Sequence, residues 1–311
     1  MIQYLKQYKV KDMIQMFRNE KKDPLVWPER CDGMSVAITG ATAGIGKEAA
    51  LAYARMGARL LLINRNKEKS EALCKELKEQ FTIEADYKIA DFTNLNQVKT
   101  VTQEILDSEV LPDIFIHNAG IFHTKYEETS DGIESVFQVN HLASFVMVDM
   151  MKEAYRTRGK GRLIYVNSEG HRFALAGVHL DDLKWDKHRF TGLASYGAAK
   201  TAQLLSMLAF DDYFRNSGVT IIAMHPGNVA TQIGDDNDEK YLNYKRKKIT
   251  PHARPANIAG TALYYLGLSP EEADRSGIFY SLTTEELPAP HAIDRDRVPA
   301  VMETSRRLAG L

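Results

Sequence analysis

TGATAGIGKEAA, residues 39–50, is the stretch that decides how this chain is read. It follows a short apolar run, MSVAIT (34–39), and leads into residues that favour a helix. Gly40, Gly44 and Gly46 therefore belong to a turn between a strand and a helix. Glycine there lets the backbone approach a bound group closely. The helix start adds free N–H groups and the positive end of a dipole. The spacing is GxxxGxG rather than GxGxxG, and any tight strand-to-helix turn can use glycine. Its place after the first strand of a strand–helix series is what points to a dinucleotide phosphate.

Working outward, the same alternation continues. Further candidate strands are ARLLLIN (58–64), IEADYKI (83–89), DIFIHN (113–118), GRLIYVN (161–167), VTIIAMH (219–225) and GIFYS (277–281). Helical stretches lie between them, including KEKSEALCKELKEQ, NLNQVKTVTQEILD, a long one from Gly132, and one begun at Ser195. This order predicts one α/β domain of Rossmann type: a doubly wound, seven-stranded parallel sheet with helices on both faces. Two long insertions interrupt the rhythm, SEGHRFALAGVHLDDLKWDKHRFTG (168–192) and a second from Pro226 to about Pro255. Both follow the C-terminal ends of strands, where open α/β sheets bind ligands. Connections of that length in a compact domain are usually functional.

Residues 1–32 read as a helical extension and linker, and 33–311 as the main domain with a lid at 228–255. The N-terminus is too charged for a signal peptide. Its Val10, Met13, Ile14 and Phe17 form an i, i+3, i+4, i+7 stripe. That stripe is expected to pack on its own domain or on a second subunit of a homo-oligomer, and its lysines also allow contact with a membrane surface. No apolar run approaches the roughly 20 residues that span a bilayer. A net charge of −1 argues against a general nucleic-acid binder. Cys31 and Cys74 stand far apart, and the histidines show no metal-ligand spacing, so no metal is expected. The expected setting is cytoplasmic, or peripheral at a membrane.

ASYGAAKTAQLL (194–205) carries the candidate chemistry. Tyr196 and Lys200 are four apart and share a helix face. A nearby ammonium favours phenolate and would lower the phenol from its usual value near 10. Taken alone, the spacing is common. But TGATAGIG, DFTN (91–94), HNAG (117–120), Asn140, Ser168, YGAAK and HPGNVAT (225–231) stand in one order. Over Ser35–Phe279 this order resembles the short-chain dehydrogenases/reductases. FQVNHL, NSEGHRF and HPGNV resemble the branch of the retinol dehydrogenases and WW-domain oxidoreductases. Two departures stand out: Asn167-Ser168 replaces the family's Ser-Ser pair, and His117 replaces the first Asn of NNAG.

The resemblance implies an alcohol–carbonyl oxidoreductase with a nicotinamide cofactor. Tyr196 would exchange the proton, Lys200 would stabilise the phenolate and bond the nicotinamide ribose, and Ser168 would hold the substrate oxygen. Asn140 would hold a water in the proton relay. The cofactor would meet Thr39, Gly40, Thr42, Ala43, Gly44, Ile45 and Gly46 at the turn. Asp91 and Phe92 would lie at the adenine, and Asn118, Ala119 and Gly120 along the adenosine. Val229 and Thr231 would meet the carboxamide and phosphate, with Pro226 and Gly227 shaping the backbone.

Asn64 stands where a carboxylate would bind the ribose hydroxyls of NAD, and Arg65 follows it, so NADP(H) is expected over NAD(H). The implied substrate is a small lipophilic alcohol, aldehyde or ketone, such as a retinoid, steroid or fatty carbonyl. Phe173, Leu175, Trp185 and Phe190 could wall its site or equally pack against the domain. The alternative is a catalytically weak cofactor-sensing or scaffold protein on the same fold. The joint presence of Asn140, Ser168, Tyr196 and Lys200 favours the enzyme.

Overall fold

The computed structural model describes residue 4, residues 6–108 and residues 110–311. Residues 1–3 and 5 of the N-terminal extension lie outside the described residues. The chain runs α1 (Val10–Asn19), β1 (Ser35–Thr39), α2 (Gly44–Arg55), β2 (Arg59–Asn64), α3 (Lys67–Phe81), β3 (Ala85–Ile89), α4 (Leu95–Asp107) and β4 (Ile114–His117). A helical turn (Ser135–Phe137) and a π-helical stretch (Gln138–Leu142) then enter α5 (Ala143–Arg158). β5 (Gly161–Val166), a 3-10 turn (Glu169–Phe173), α6 (Gly192–Phe214), β6 (Val219–His225) and α7 (Glu239–Tyr244) follow. The chain ends with α8 (Asn257–Leu268), β7 (Phe279–Ser281), β8 (Thr284–Glu285) and α9 (Val298–Ala309).

The sheet order is β3-β2-β1-β4-β5-β6-β7-β8. It has eight strands where seven were expected. β8 is the extra one, and it pairs antiparallel with β7. The reversal turns at Leu282, which sits at φ 53. Two residues leave too little periodicity to be seen in sequence.

Side chains alternate across the strands, as the period of two requires. Val36, Ile38, Leu60, Leu62, Ile114 and Ile116 pack with α2, α3 and α8 on one face. Ala37, Ile63, Phe115, Leu163, Tyr165 and Ile221 pack with α4, α5, α6 and α9 on the other. α3 shows why such helices form. Asn66 caps it by accepting from Lys69 N at 2.8 Å, and Ser70, Leu73, Cys74 and Leu77 are its buried stripe. The order reverses between β1 and β4, so their C-terminal ends open a crevice.

The N-terminal extension lies across the β7–β8 end of the sheet. Asn19 Nδ2 donates to Glu286 Oε2 at 2.8 Å, and Leu25 N to Thr283 Oγ1 at 2.9 Å. The apolar stripe of α1 is not what attaches it: Val10, Met13, Ile14 and Phe17 are 73%, 48%, 47% and 56% exposed. Polar bonds at the end of α1 and in the linker hold it, together with Tyr4, buried and bonded to Asp294, and Tyr8, packed on the core. Among the described residues no helix is long and apolar enough to cross a membrane.

Candidate active site

The glycine turn is built by close approach. Gly40 (φ 67) and Gly44 (φ 53) lie in the left-handed region that favours glycine. A Cβ on Gly40 would sit 2.9 Å from Ala119 Cα, and one on Gly46 would sit 2.5 Å from Asn118 Nδ2. The HNAG segment is tied to the same turn. Asn118 Nδ2 donates to the carbonyls of Thr39 (2.9 Å) and Gly40 (3.0 Å), while the N–H groups of Asn118 and Ala119 reach Thr39 Oγ1. No side chain caps the start of α2 at Ala43. The turn thus keeps its helix-start N–H groups for a ligand, and its bare backbone fits a pyrophosphate. Thr231 packs beside it, 3.4 Å from where a Gly44 Cβ would be. Gly227 (φ 79) turns the chain after Pro226, and Val229 bridges to Arg254.

The two residues read for the ribose end part company. Asn64 is buried, accepts from Ala41 N at 2.6 Å and donates to Ser70 Oγ at 3.1 Å. It braces the glycine turn from behind. Arg65 is exposed and lies 3.5 Å from Asp236, a residue of the second insertion. Asp91 folds its own turn, accepting from Thr93 N (2.9 Å) and Thr93 Oγ1 (2.8 Å). Phe92 is buried, and its carbonyl accepts from Gln138 Nε2. Asn140 sits in the π-helical stretch, buried; its Oδ1 accepts from Ile121 N at 2.8 Å and its Nδ2 donates to Ile121 O at 2.9 Å. Both amide atoms thus brace the segment after β4. A Cβ on Gly120 would lie 3.2 Å from that Oδ1.

Ser168, Tyr196 and Lys200 converge beyond the C-terminal end of β5. Ser168 Oγ accepts from Gly170 N at 2.9 Å and caps the 3-10 turn. Two glycines that the sequence reading passed over allow this approach. A Cβ on Gly170 would be 2.6 Å from Tyr196 Cε1 and 3.2 Å from Ser168 Oγ. A Cβ on Gly197 would be 2.8 Å from Ala174 N. Asn167, noted only as a departure, also holds the site: its Nδ2 donates to Lys200 O (3.0 Å) and Gln203 Oε1 (2.8 Å), and its Oδ1 accepts from Ser168 N (2.8 Å).

The electrostatics differ from the expectation of a cation-lowered phenol. Burial pushes Tyr196 up to about 12, against a smaller opposing hydrogen bond with Ser168. Burial also pushes Lys200 down to about 7. The lysine Nζ donates to Val166 O at 2.8 Å and stands 5.8 Å from the Tyr196 ring centroid. Removal from water outweighs a cation held at that distance.

The second insertion is docked over this site. Asn237 Oδ1 accepts from Thr124 N at 2.6 Å, and its Nδ2 donates to Phe122 O at 2.7 Å. Lys125 pairs with Asp238 at 3.0 Å. Phe122 lies edge-on to Tyr196, centroids 5.8 Å apart, and 5.3 Å from the ring of Tyr241. Of the expected apolar wall, Phe173, Leu175 and Trp185 instead line a cavity on another side of α6, and Phe190 packs edge-on to Trp185.

The family model for short chain dehydrogenase matches residues 34–179. Human (Homo sapiens) retinol dehydrogenase 13 is 30% identical over 285 residues, covering 90% of this chain and 85% of that protein. This chain is a short-chain dehydrogenase/reductase. Within the family it belongs to the retinol dehydrogenase-like branch, and it acts on CH–OH groups. The WW domain-containing oxidoreductase of Drosophila melanogaster is 26% identical over 257 residues, 80% of this chain and 62% of that protein. The solved structure of levodione reductase superposes with a TM-score of 0.66 at 20% identity, covering 87% of this chain and 100% of that one. That last likeness bears on the fold alone.

Proposed function

We propose that this dehydrogenase/reductase uses NADP(H) to interconvert a lipophilic alcohol and its aldehyde or ketone, in the retinoid, steroid or fatty-carbonyl class. The convergence of Ser168 and Tyr196, with Lys200 behind them, beside an uncapped glycine turn carries the reading. The nicotinamide, when bound, supplies or takes the hydride. Ser168 Oγ holds the substrate oxygen beside the phenol. Tyr196, kept protonated at neutral pH by burial, is in the form that donates to a carbonyl. Lys200 supports the charge that develops on Tyr196. The aromatic pair Phe122 and Tyr241 next to Tyr196, together with the likeness to retinol dehydrogenase 13, supports a lipophilic substrate.

For the cofactor, Arg65 is an exposed guanidinium beside a neutral Asn64 that is turned inward. Its contact with Asp236 joins two exposed side chains and is weak, so a 2′-phosphate would displace it. A charge-assisted phosphate contact is worth about 1.5–3 kcal/mol, roughly 10- to 150-fold in affinity. Dissociation constants for NADPH and NADH, with the parent and Arg65→Ala, test this. The parent should favour NADPH, and the variant should lose that preference; tighter NADH binding by the parent would refute it. Tyr196→Phe should cut turnover at least about 10²-fold across a carbonyl panel while leaving cofactor binding intact. Parent-like turnover by that variant would remove the mechanism.

The exposed stripe of α1, with Lys9, Lys11 and Arg18 nearby, supports a second role for the extension, resting on a lipid surface. Co-sedimentation with anionic vesicles, lost in Ile14→Glu/Phe17→Glu, is the expected result; equal sedimentation of parent and variant would exclude it.

A further inference from the structure

The first insertion closes a cavity of about 310 Å³ against the start of α6. That volume falls within the roughly 300–1,000 Å³ of small-molecule sites. The cavity touches α6 at Ala194, Ser195 and Ala198. At about 100° per residue, these positions face away from Tyr196 and Lys200. The start of the insertion, residues 170–174, packs on Gly197, with Gly170 against the Tyr196 ring and Phe173 and Ala174 lining the cavity. The cavity is therefore separate from the catalytic cleft.

Its lining is mostly apolar, with Phe137, Leu175, Leu183 and Trp185 contributing large side chains. Trp185 sits at φ 59, an uncommon conformation for a bulky residue. It is braced edge-on by Phe190 at 5.4 Å, and Phe190 in turn by Tyr126 at 5.8 Å. Strain of this kind gathers at ligand clamps.

The charged groups divide clearly. Glu134 already accepts from the N–H groups of Val136 and Phe137 and from Ser195 Oγ. Asp182 already accepts from the N–H groups of Lys187 and His188 and bonds the His188 ring. Among the described residues, Arg189 is the one lining side chain of fixed positive charge. It is exposed, and among the described residues no hydrogen bond or ion pair engages it.

We infer that this cavity binds an amphipathic carboxylate: an alkyl body under Trp185 and the acid group on Arg189. The inference does not rest on the dehydrogenase reading, because no residue of the catalytic cleft takes part.

The chain has two tryptophans, so Trp27→Phe leaves Trp185 as the sole reporter. Titrating that protein with dodecanoate below its micelle concentration should change Trp185 emission saturably. Dodecanol, with the same chain and no charge, should bind more weakly. Arg189→Ala should weaken dodecanoate roughly tenfold and leave dodecanol unchanged, because one charge-assisted contact is lost. Ala176→Leu, which fills the cavity, should weaken both ligands. Carbonyl turnover should be the same in either variant as in its parent. A Trp185 signal that does not saturate, or a dodecanoate affinity untouched by both substitutions, would overturn the site.

Discussion

Lys200 lies inside the protein, its Nζ donating to Val166 O at 2.8 Å. Burial lowers it to about 7 from its unfolded value of 10.5. Between those values the unfolded chain carries a proton that the folded one does not, so this group makes stability rise with pH across that window. Below about 7 both states are protonated, and the full cost of burying the charge is present. Lys200→Met should therefore raise Tm most at pH 6, and the gain should shrink towards pH 10. Thermal unfolding of parent and variant across pH measures this. A gain independent of pH would mean that the ammonium is not desolvated. The lysine proposed for the chemistry thus costs stability at neutral and lower pH.

At the scale of elements, the site depends on how close α6 comes to the 3-10 turn at Glu169–Phe173. Gly197 and Gly170 set that distance. Gly197→Ala puts a methyl group against backbone, which cannot yield as a flexible side chain would. Overpacking of this kind costs typically about 1–3 kcal/mol. The expected result is a kcat loss of tenfold or more with near-parent affinity for the nicotinamide cofactor, since the glycine turn after β1 is untouched. Steady-state kinetics and a binding titration read the two separately; unchanged kcat would show that the spacing has slack. The segment 228–255 makes a second case. Asn237 ties it to Thr124 and Phe122, so Asn237→Ala should speed amide exchange over 228–255. If this segment closes as a lid, substrate should slow its exchange in the parent, because closure excludes water. Equal exchange in parent and variant would place the hold elsewhere.

For the molecule as a whole, buried histidines make stability fall as the pH drops. His117, His141 and His225 are pushed down to about 3 by burial, and His171 falls well below its ordinary value for the same reason. As pH falls below about 6.5, the unfolded chain takes up protons on these rings and the folded chain does not. Their contribution is full above that value and is lost on the way to pH 3, at about 1.4 kcal/mol per pH unit for each ring. His117 has no hydrogen-bond partner for either ring nitrogen and stacks on Phe115 at 4.3 Å. His117→Phe should keep the stack and make stability fall less steeply between pH 6 and 4. Urea unfolding at several pH values checks this; parallel curves for the two proteins would contradict it.

The sequence by itself determined the layer order, seven of the eight strands, the glycine turn and the grouping of Tyr196 with Lys200. Those features are local: the period of two or 3.6, a turn residue, a helix spacing. Tertiary structure alone decided what the polar side chains do. Asn64 turned inward to Ala41, Asn140 went to Ile121, and Arg65 met Asp236 from an insertion far along the chain. It also moved the expected apolar wall to a cavity on the other side of α6 and drove the phenol up instead of down. A hydrogen-bond partner, a desolvation cost and the face a loop covers depend on which distant segments are packed together. No local pattern carries that information.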